Sequence, residues 1–153
     1  MPELRLTSPA FDDRDPIPDR FGYTEDNVNP PLEIEGGPAS TESYLLVVDD
    51  PDARDPAGQI WDHWVVWDVD ADVASIPEDW DAGLAGATEG QNDFGEAGWG
   101  GPNPPDTEHT YRFLLYALDD RLGLSANATK DDVYDAAEGC VVGKARLEGT
   151  YAP

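Results

Sequence analysis

His63 and His109 are the only histidines in a chain of 153 residues, and each opens an apolar run beside an aromatic side chain. "DHWVVW" (62–67) carries His63, and "EHTYRFLLYAL" (108–118) carries His109 and Tyr111. A third run, "SYLLVVDD" (43–50), closes on Asp49 and Asp50, with Asp52 just beyond. Histidine is the side chain that changes charge near neutral pH, and a carboxylate neighbour favours its cationic form. A carboxylate-backed imidazole with a tyrosine hydroxyl two residues on is a donor set for a phosphate or a carboxylate. A single histidine in a soluble protein is more often a packing residue. Two of them, each at the start of an apolar run, make a binding site an equally strong reading.

Other chemistries fit these residues less well. An Asp/His cluster can act as acid and base on a phosphoester, but the sequence has no Gly-x-Ser-x-Gly elbow and no phosphate-binding P-loop. No His-x-Glu or Cys-x-x-Cys spacing marks a metal centre, so no metal or cofactor is expected. Cys140 is the single cysteine; it excludes an intrachain disulfide and has no histidine beside it in sequence to make it a nucleophile.

The elements that must position these residues are mostly strands. The 29 glycines and prolines suit strands separated by turns. Strands are expected at 4–6, 31–34, 43–50, 63–70 and 111–118, with one or two late strands in 141–151. Residues 8–31 keep no period and read as a long irregular loop. One helix is expected over 129–138, with Thr129 as N-cap, Asp132 at N3 and Gly139 just past its end. A parallel βαβ sheet would need crossover helices that are lacking. His109 and Tyr111 are two residues apart, so on a strand they share a face. If the strands adjoin, Asp50, His63, His109 and Tyr111 converge at their ends. The stretch "GWGGPNPPDTEH" (98–109) then forms a wall, stiffened by prolines and brought close by glycines.

Charge narrows the partners. Thirty-three acidic residues oppose nine basic ones, for a formal net charge of −24, and lysine occurs only at 130 and 144. The acids are spread along the whole chain rather than gathered in a tail. Such self-repulsion destabilises a compact state unless salt screens it. The composition therefore predicts a cytoplasmic protein of a molar-salt, halophilic cytosol. No basic stripe exists to neutralise nucleic-acid phosphates. No apolar run approaches the roughly 20 residues of a membrane span, and "MPELRLTSPAF" lacks a signal-peptide core. The length suits one domain over 1–153.

At these residues the chain resembles the phosphatidylethanolamine-binding protein family, in its prokaryotic Raf-kinase-inhibitor-like branch. The resemblance runs through "LTSPAFDDRDPIPDRFGYTEDNVNPPLEI", "VVDDPDA", "DHWVVW", "GQNDFGEAGWGGPNPPDTEHTYRFLLYALD" and "GKARLEGTY", nearly the whole length. It implies a mostly β fold, a large sheet packed on a smaller one with a few short peripheral helices. It also implies a small anion pocket open at one end, made by Asp50, Asp52, Trp61, His63, Gly101, Pro104, Pro105, His109 and Tyr111. The implied ligand is a small anion, phosphate or a phosphorylated headgroup, held without catalysis. Homodimers are frequent in this branch, and inhibition of a kinase or protease through the pocket edge is the alternative role. Three positions depart from the family pattern: Arg54 replaces a proline after Asp-Pro-Asp-Ala, Asn103 replaces a cysteine, and Cys140 stands where a histidine is usual.

Overall fold

The computed structural model describes residues 3–53 and 60–153. Arg54 lies outside the described residues. Among the described residues eight strands form two antiparallel sheets. The small sheet has the order β1-β2-β5, from Arg5–Thr7, Leu32–Glu35 and Ser75–Ile76. The large sheet has the order β6-β4-β3-β7-β8, from Thr88–Glu89, Trp61–Asp70, Ser43–Asp50, His109–Leu118 and Val141–Tyr151. The expected mostly β architecture of a larger sheet against a smaller one is what the chain adopts.

The continuous apolar run of β3 follows from its place at the centre of the large sheet, with all eight residues buried. Tyr44, Leu46 and Val48 face the small sheet and join Leu6, Leu32, Ile34 and Ile76 in the main core. Leu45 and Val47 face the other way, into a second core with Val133 and Ala137 of the helix. A strand covered on both faces gains nothing from polar alternation. β7 is fully covered on one face and only partly on the other, where Leu114 and Tyr116 reach the second core, and its burial alternates strictly from His109 to Tyr116.

The helix, α1, spans Lys130–Ala137. Thr129 Oγ1 accepts from the Asp132 amide and Asp132 returns a bond to the Thr129 amide, a reciprocal capping box. Gly139 has φ +83°, the left-handed residue that ends the helix. Cys140 packs in this outer core, while Tyr111 of the pocket belongs to the inter-sheet core.

The structure refines the sequence expectation in three places. β4 begins at Trp61 and β7 at His109, each two residues early, so His109 as well as His63 lies in its strand. Residues 141–151 form a single strand, one of the two readings the pattern allowed. β5 and β6, two residues each, are too short to show a period. The long loop 8–31 also has more order than its sequence implies. Its backbone runs beside β8, with bonds from Arg14 N to Glu148 O (2.8 Å), Ile17 N to Thr150 O (2.7 Å) and Thr150 N to Asp15 O (3.1 Å). Phe11, Ile17 and Phe21 anchor it in the main core.

Candidate functional site

Alternation along β3 turns Asp50 to the inner face with Val48 and Leu46, and β7 turns His109 and Tyr111 to that same face with Phe113. β4 needs a further device. In a regular strand His63 would face away from Trp64, yet both side chains lie on the inner side: His63 packs edge-on to Tyr111, and Trp64 to Trp99. The register explains this. Val48 pairs with Trp64 and Asp49 with Asp62, so β4 carries an extra residue, His63, at a β-bulge. The bulge re-aims the imidazole into the inter-sheet space.

These side chains surround a cavity of about 230 Å³ lined by Asp50, Ala53, Trp61, His63, Phe94, Asn103, Pro105, His109 and Tyr111. Six of the nine residues implied by the resemblance line it: Asp50, Trp61, His63, Pro105, His109 and Tyr111. The other three do not line it and serve behind its wall. Asp52 Oδ2 accepts the Thr110 amide at 2.9 Å and ties the end of β3 to the start of β7. Gly101 donates its amide to Asn27 Oδ1 at 2.7 Å. A Cβ at Gly101 would collide with the Phe21 carbonyl, so glycine is needed for that close approach. Pro104 is buried in the loop.

Three further residues line the cavity beyond the nine implied, although one, Asn103, lies in the stretch 98–109 expected as a wall. Ala53 ends the Asp-Pro-Asp-Ala motif. Asn103, one of the departures from the family pattern, sits exposed on the rim. Phe94 is set by Asn92, whose Oδ1 accepts the amides of Phe94 (2.9 Å) and Glu96 (3.2 Å). Its ring stacks on Tyr23 at 3.9 Å and meets Trp61 and His63 edge-on. The signal was the Asn-Asp-Phe-Gly turn in residues 92–95, which reads as a loop but not as a wall.

The two imidazoles are in different states. His63 Nδ1 lies 2.6 Å from the Gly100 carbonyl. A carbonyl only accepts, so Nδ1 carries the hydrogen. Burial pushes the His63 pKa down, against smaller opposing effects of the Gly100 carbonyl and Asp50. The neutral ring therefore presents Nε2 as a lone pair. His109 is held at both nitrogens by carboxylates: Nδ1 to Asp50 Oδ2 at 2.6 Å, and Nε2 to Asp106 Oδ1 at 2.8 Å. Burial works against its charge, but the two carboxylates outweigh burial and its pKa is raised. His109 is an imidazolium with both N–H groups engaged. This corrects the expectation that it offers a free donor to a ligand: a second carboxylate, Asp106, already takes that bond.

The remaining polar atoms of the wall are donors. By hydrogen-bond geometry neither Trp61 Nε1 nor Tyr111 Oη, both buried, is partnered among the described residues, though Asp50 and the Asn103 backbone lie near enough to the phenol to bear on its charge. Burial, and then the charge of Asp50, hold the Tyr111 phenol far above its ordinary range, so it keeps its proton. A buried donor without an acceptor costs about 1–3 kcal/mol. Two on the wall of one cavity mark a place where an acceptor is wanted.

A β-sandwich with a small aromatic cavity at strand ends, backed by an Asp–His pair, defines a class of small-ligand-binding proteins. Comparison with known proteins agrees: the family model for phosphatidylethanolamine-binding proteins matches residues 7–152, and the chain belongs to that family. A UPF0098 protein of Methanothermobacter thermautotrophicus is 42% identical over 97% of this chain and 98% of its own. Among solved structures, the phosphatidylethanolamine-binding protein homologue CT736 from Chlamydia trachomatis superposes with a TM-score of 0.91 at 34% identity, covering 97% of each chain. YbcL of E. coli, described as a member of the mammalian PEBP family, gives 0.88 at 29% identity over 98% of each. Among the described residues no helix is long and apolar enough to cross a membrane.

Proposed function

We propose that the cavity binds a small oxyanion, phosphate or the phosphomonoester end of a headgroup such as phosphoethanolamine, and holds it without turnover. The observation that carries this reading is the pair of unpartnered buried donors, Trp61 Nε1 and Tyr111 Oη, on a wall shared with both histidines. Phosphate oxygens are strong acceptors for both. His63 adds a selective feature. Its neutral Nε2 accepts a hydrogen, so a phosphate that keeps one P–O–H suits the site better than sulfate, which has none at neutral pH. The cavity volume of about 230 Å³ fits a headgroup rather than a whole lipid.

Binding without catalysis is supported by how fully the wall's acid–base groups are committed. Asp50 Oδ1 accepts the Asp52 amide at 2.9 Å while Oδ2 holds His109. His63 Nδ1 is tied to Gly100, and His109 is tied at both nitrogens. His63 Nε2 is the one ring nitrogen left open, and among the described lining residues no serine, threonine or cysteine stands beside it as a nucleophile. Calorimetric titration of phosphate, phosphoethanolamine and sulfate at molar KCl tests the reading. One-site binding of the two phosphates, weaker sulfate and loss of heat in His63→Ala are expected. No heat from either phosphate at millimolar concentration refutes it.

A further inference from the structure

The Asp106–His109 contact has a consequence for the oxyanion site proposed above, on which it rests. An imidazolium has two N–H donors and no more. At His109 both are spent on carboxylates, yet the two partners are very different. Asp50 is 4% exposed and belongs to the buried end of β3, where its other oxygen is also bonded. Asp106 is 47% exposed and rides on the loop between Pro105 and β7. Among the described residues its other side-chain bond is from the amide of its neighbour, Thr107, to the same oxygen at 2.8 Å. One carboxylate is part of the frame; the other is a loop side chain that can turn out into water.

We propose that Asp106 is a built-in competitor for the ligand: its carboxylate occupies, on His109 Nε2, the position an incoming oxyanion must take to reach the cationic histidine. The exchange is between like acceptors, one carboxylate oxygen for one phosphate oxygen. Formal charge argues the same way. With His63 neutral, Asp50 and Asp106 against His109 leave the cluster at −1, a poor seat for an anion; with Asp106 turned out, the inner pair is neutral and an N–H is free. A ligand whose binding-competent state is only partly populated has its apparent affinity reduced by that fraction. Asp106 thus sets the affinity threshold of the site. The Thr107 amide and His109 hold its pKa down, so it competes as an anion over the physiological range.

The test is phosphate calorimetry on wild type, Asp106→Asn and Asp106→Ala, each at 0.1 M and at 2 M KCl. Both variants should bind phosphate tighter than wild type by about tenfold or more, the scale of one charge-assisted hydrogen bond. The gain should persist at 2 M KCl. Repulsion acting through solvent would be screened there, whereas direct occupation of Nε2 would not. Two results overturn the proposal: an unchanged or weaker Kd in Asp106→Ala, or a gain that disappears at 2 M KCl. Wild-type binding with no gain in the variants sinks the competition alone. Absence of phosphate binding in wild type and both variants sinks the oxyanion site and the competition together. Phosphate binding in the variants but not in wild type supports both. Asp106→Asn keeps the shape of the side chain, so a gain shared by both variants is not the product of a loop rearrangement in Asp106→Ala.

Discussion

Asp49 and Asp50 are consecutive residues with the same side chain, and the large sheet sends them to opposite faces with opposite fates. Asp49 points outward and takes a two-pronged bond from Arg112, Nε to Oδ1 at 2.7 Å and a terminal nitrogen to Oδ2 at 2.8 Å. Asp50 points inward and takes His109 at 2.6 Å. On the outer face the cation never titrates within the working range, and Arg112 remains 26% exposed beside a 3% exposed Asp49. That pair closes a surface. On the inner face both partners are almost wholly buried, at 3% and 4%, and the cation is one whose charge depends on its neighbours. That pair borders a cavity. A buried ion pair is in itself weak evidence for stability; the inner one marks function because it places a titratable cation against a space that wants an acceptor.

The largest expected contrast is in stability. Asp50→Asn leaves His109 buried without its main counter-ion and should lower unfolding free energy by roughly 3 kcal/mol. Asp49→Asn should lower it by about 1–2 kcal/mol, because Arg112 can turn to water. Denaturant titration of both variants in molar KCl measures the two numbers side by side; equal losses would erase the distinction between the faces. Next in size is the inner wall. Gly101→Ala forces a methyl against the Phe21 carbonyl and should destabilise by about 2 kcal/mol, with a matching loss of phosphate affinity in the same samples. Full stability with full affinity would show that the wall tolerates what the geometry forbids.

A subtler contrast lies in pH. The His109 pKa is raised in the folded state, so its stabilising contribution is complete below the ordinary imidazole value of 6.5 and is lost as pH rises through the raised value. The gap in stability between wild type and Asp50→Asn should therefore narrow as pH climbs above 6.5. The gap for Asp49→Asn should stay flat, since Arg112 does not titrate there. His63 acts in the opposite sense: its pKa is lowered by burial, so it destabilises the fold as pH falls below 6.5. Wild-type stability alone blends the two, and the variant differences separate them. The smallest effect is that of salt on the comparison. Overall stability should rise with KCl from about 0.1 M into the molar range, as screening relieves the −24 net charge. The Asp50→Asn gap should hardly change, because a buried pair is poorly screened. A melting temperature flat across that range would contradict the high-salt reading of the composition.

Much of this arrangement is legible in the chain and some is not, for physical reasons. β3 is plain because a two-face-buried strand is a bare apolar run, and the α1 caps are plain because Thr129, Asp132 and Gly139 act locally. The gathering of Asp50, His63, His109 and Tyr111 was expected from strand ends and their side-chain parity. Parity alone would have put His63 on the wrong face; the bulge that corrects it leaves no mark in "DHWVVW". The short strands β5 and β6 are fixed by pairing, not by pattern. Phe94 and Asp106 reached the site through loop geometry, which composition does not encode. The free-donor role expected of His109 failed because an exposed acid three residues upstream is indistinguishable, in so acidic a sequence, from any solvated turn.

The central claim is that the strand-end cavity between His63 and His109 is an oxyanion site. Nitrogen-15 NMR of the two imidazole rings during a phosphate titration at molar KCl addresses it most directly. Both rings should respond in step along one saturable curve, with His109 Nε2 exchanging its Asp106 partner for the ligand. Ring signals that stay still through millimolar phosphate, or that move without saturating, would contradict the account.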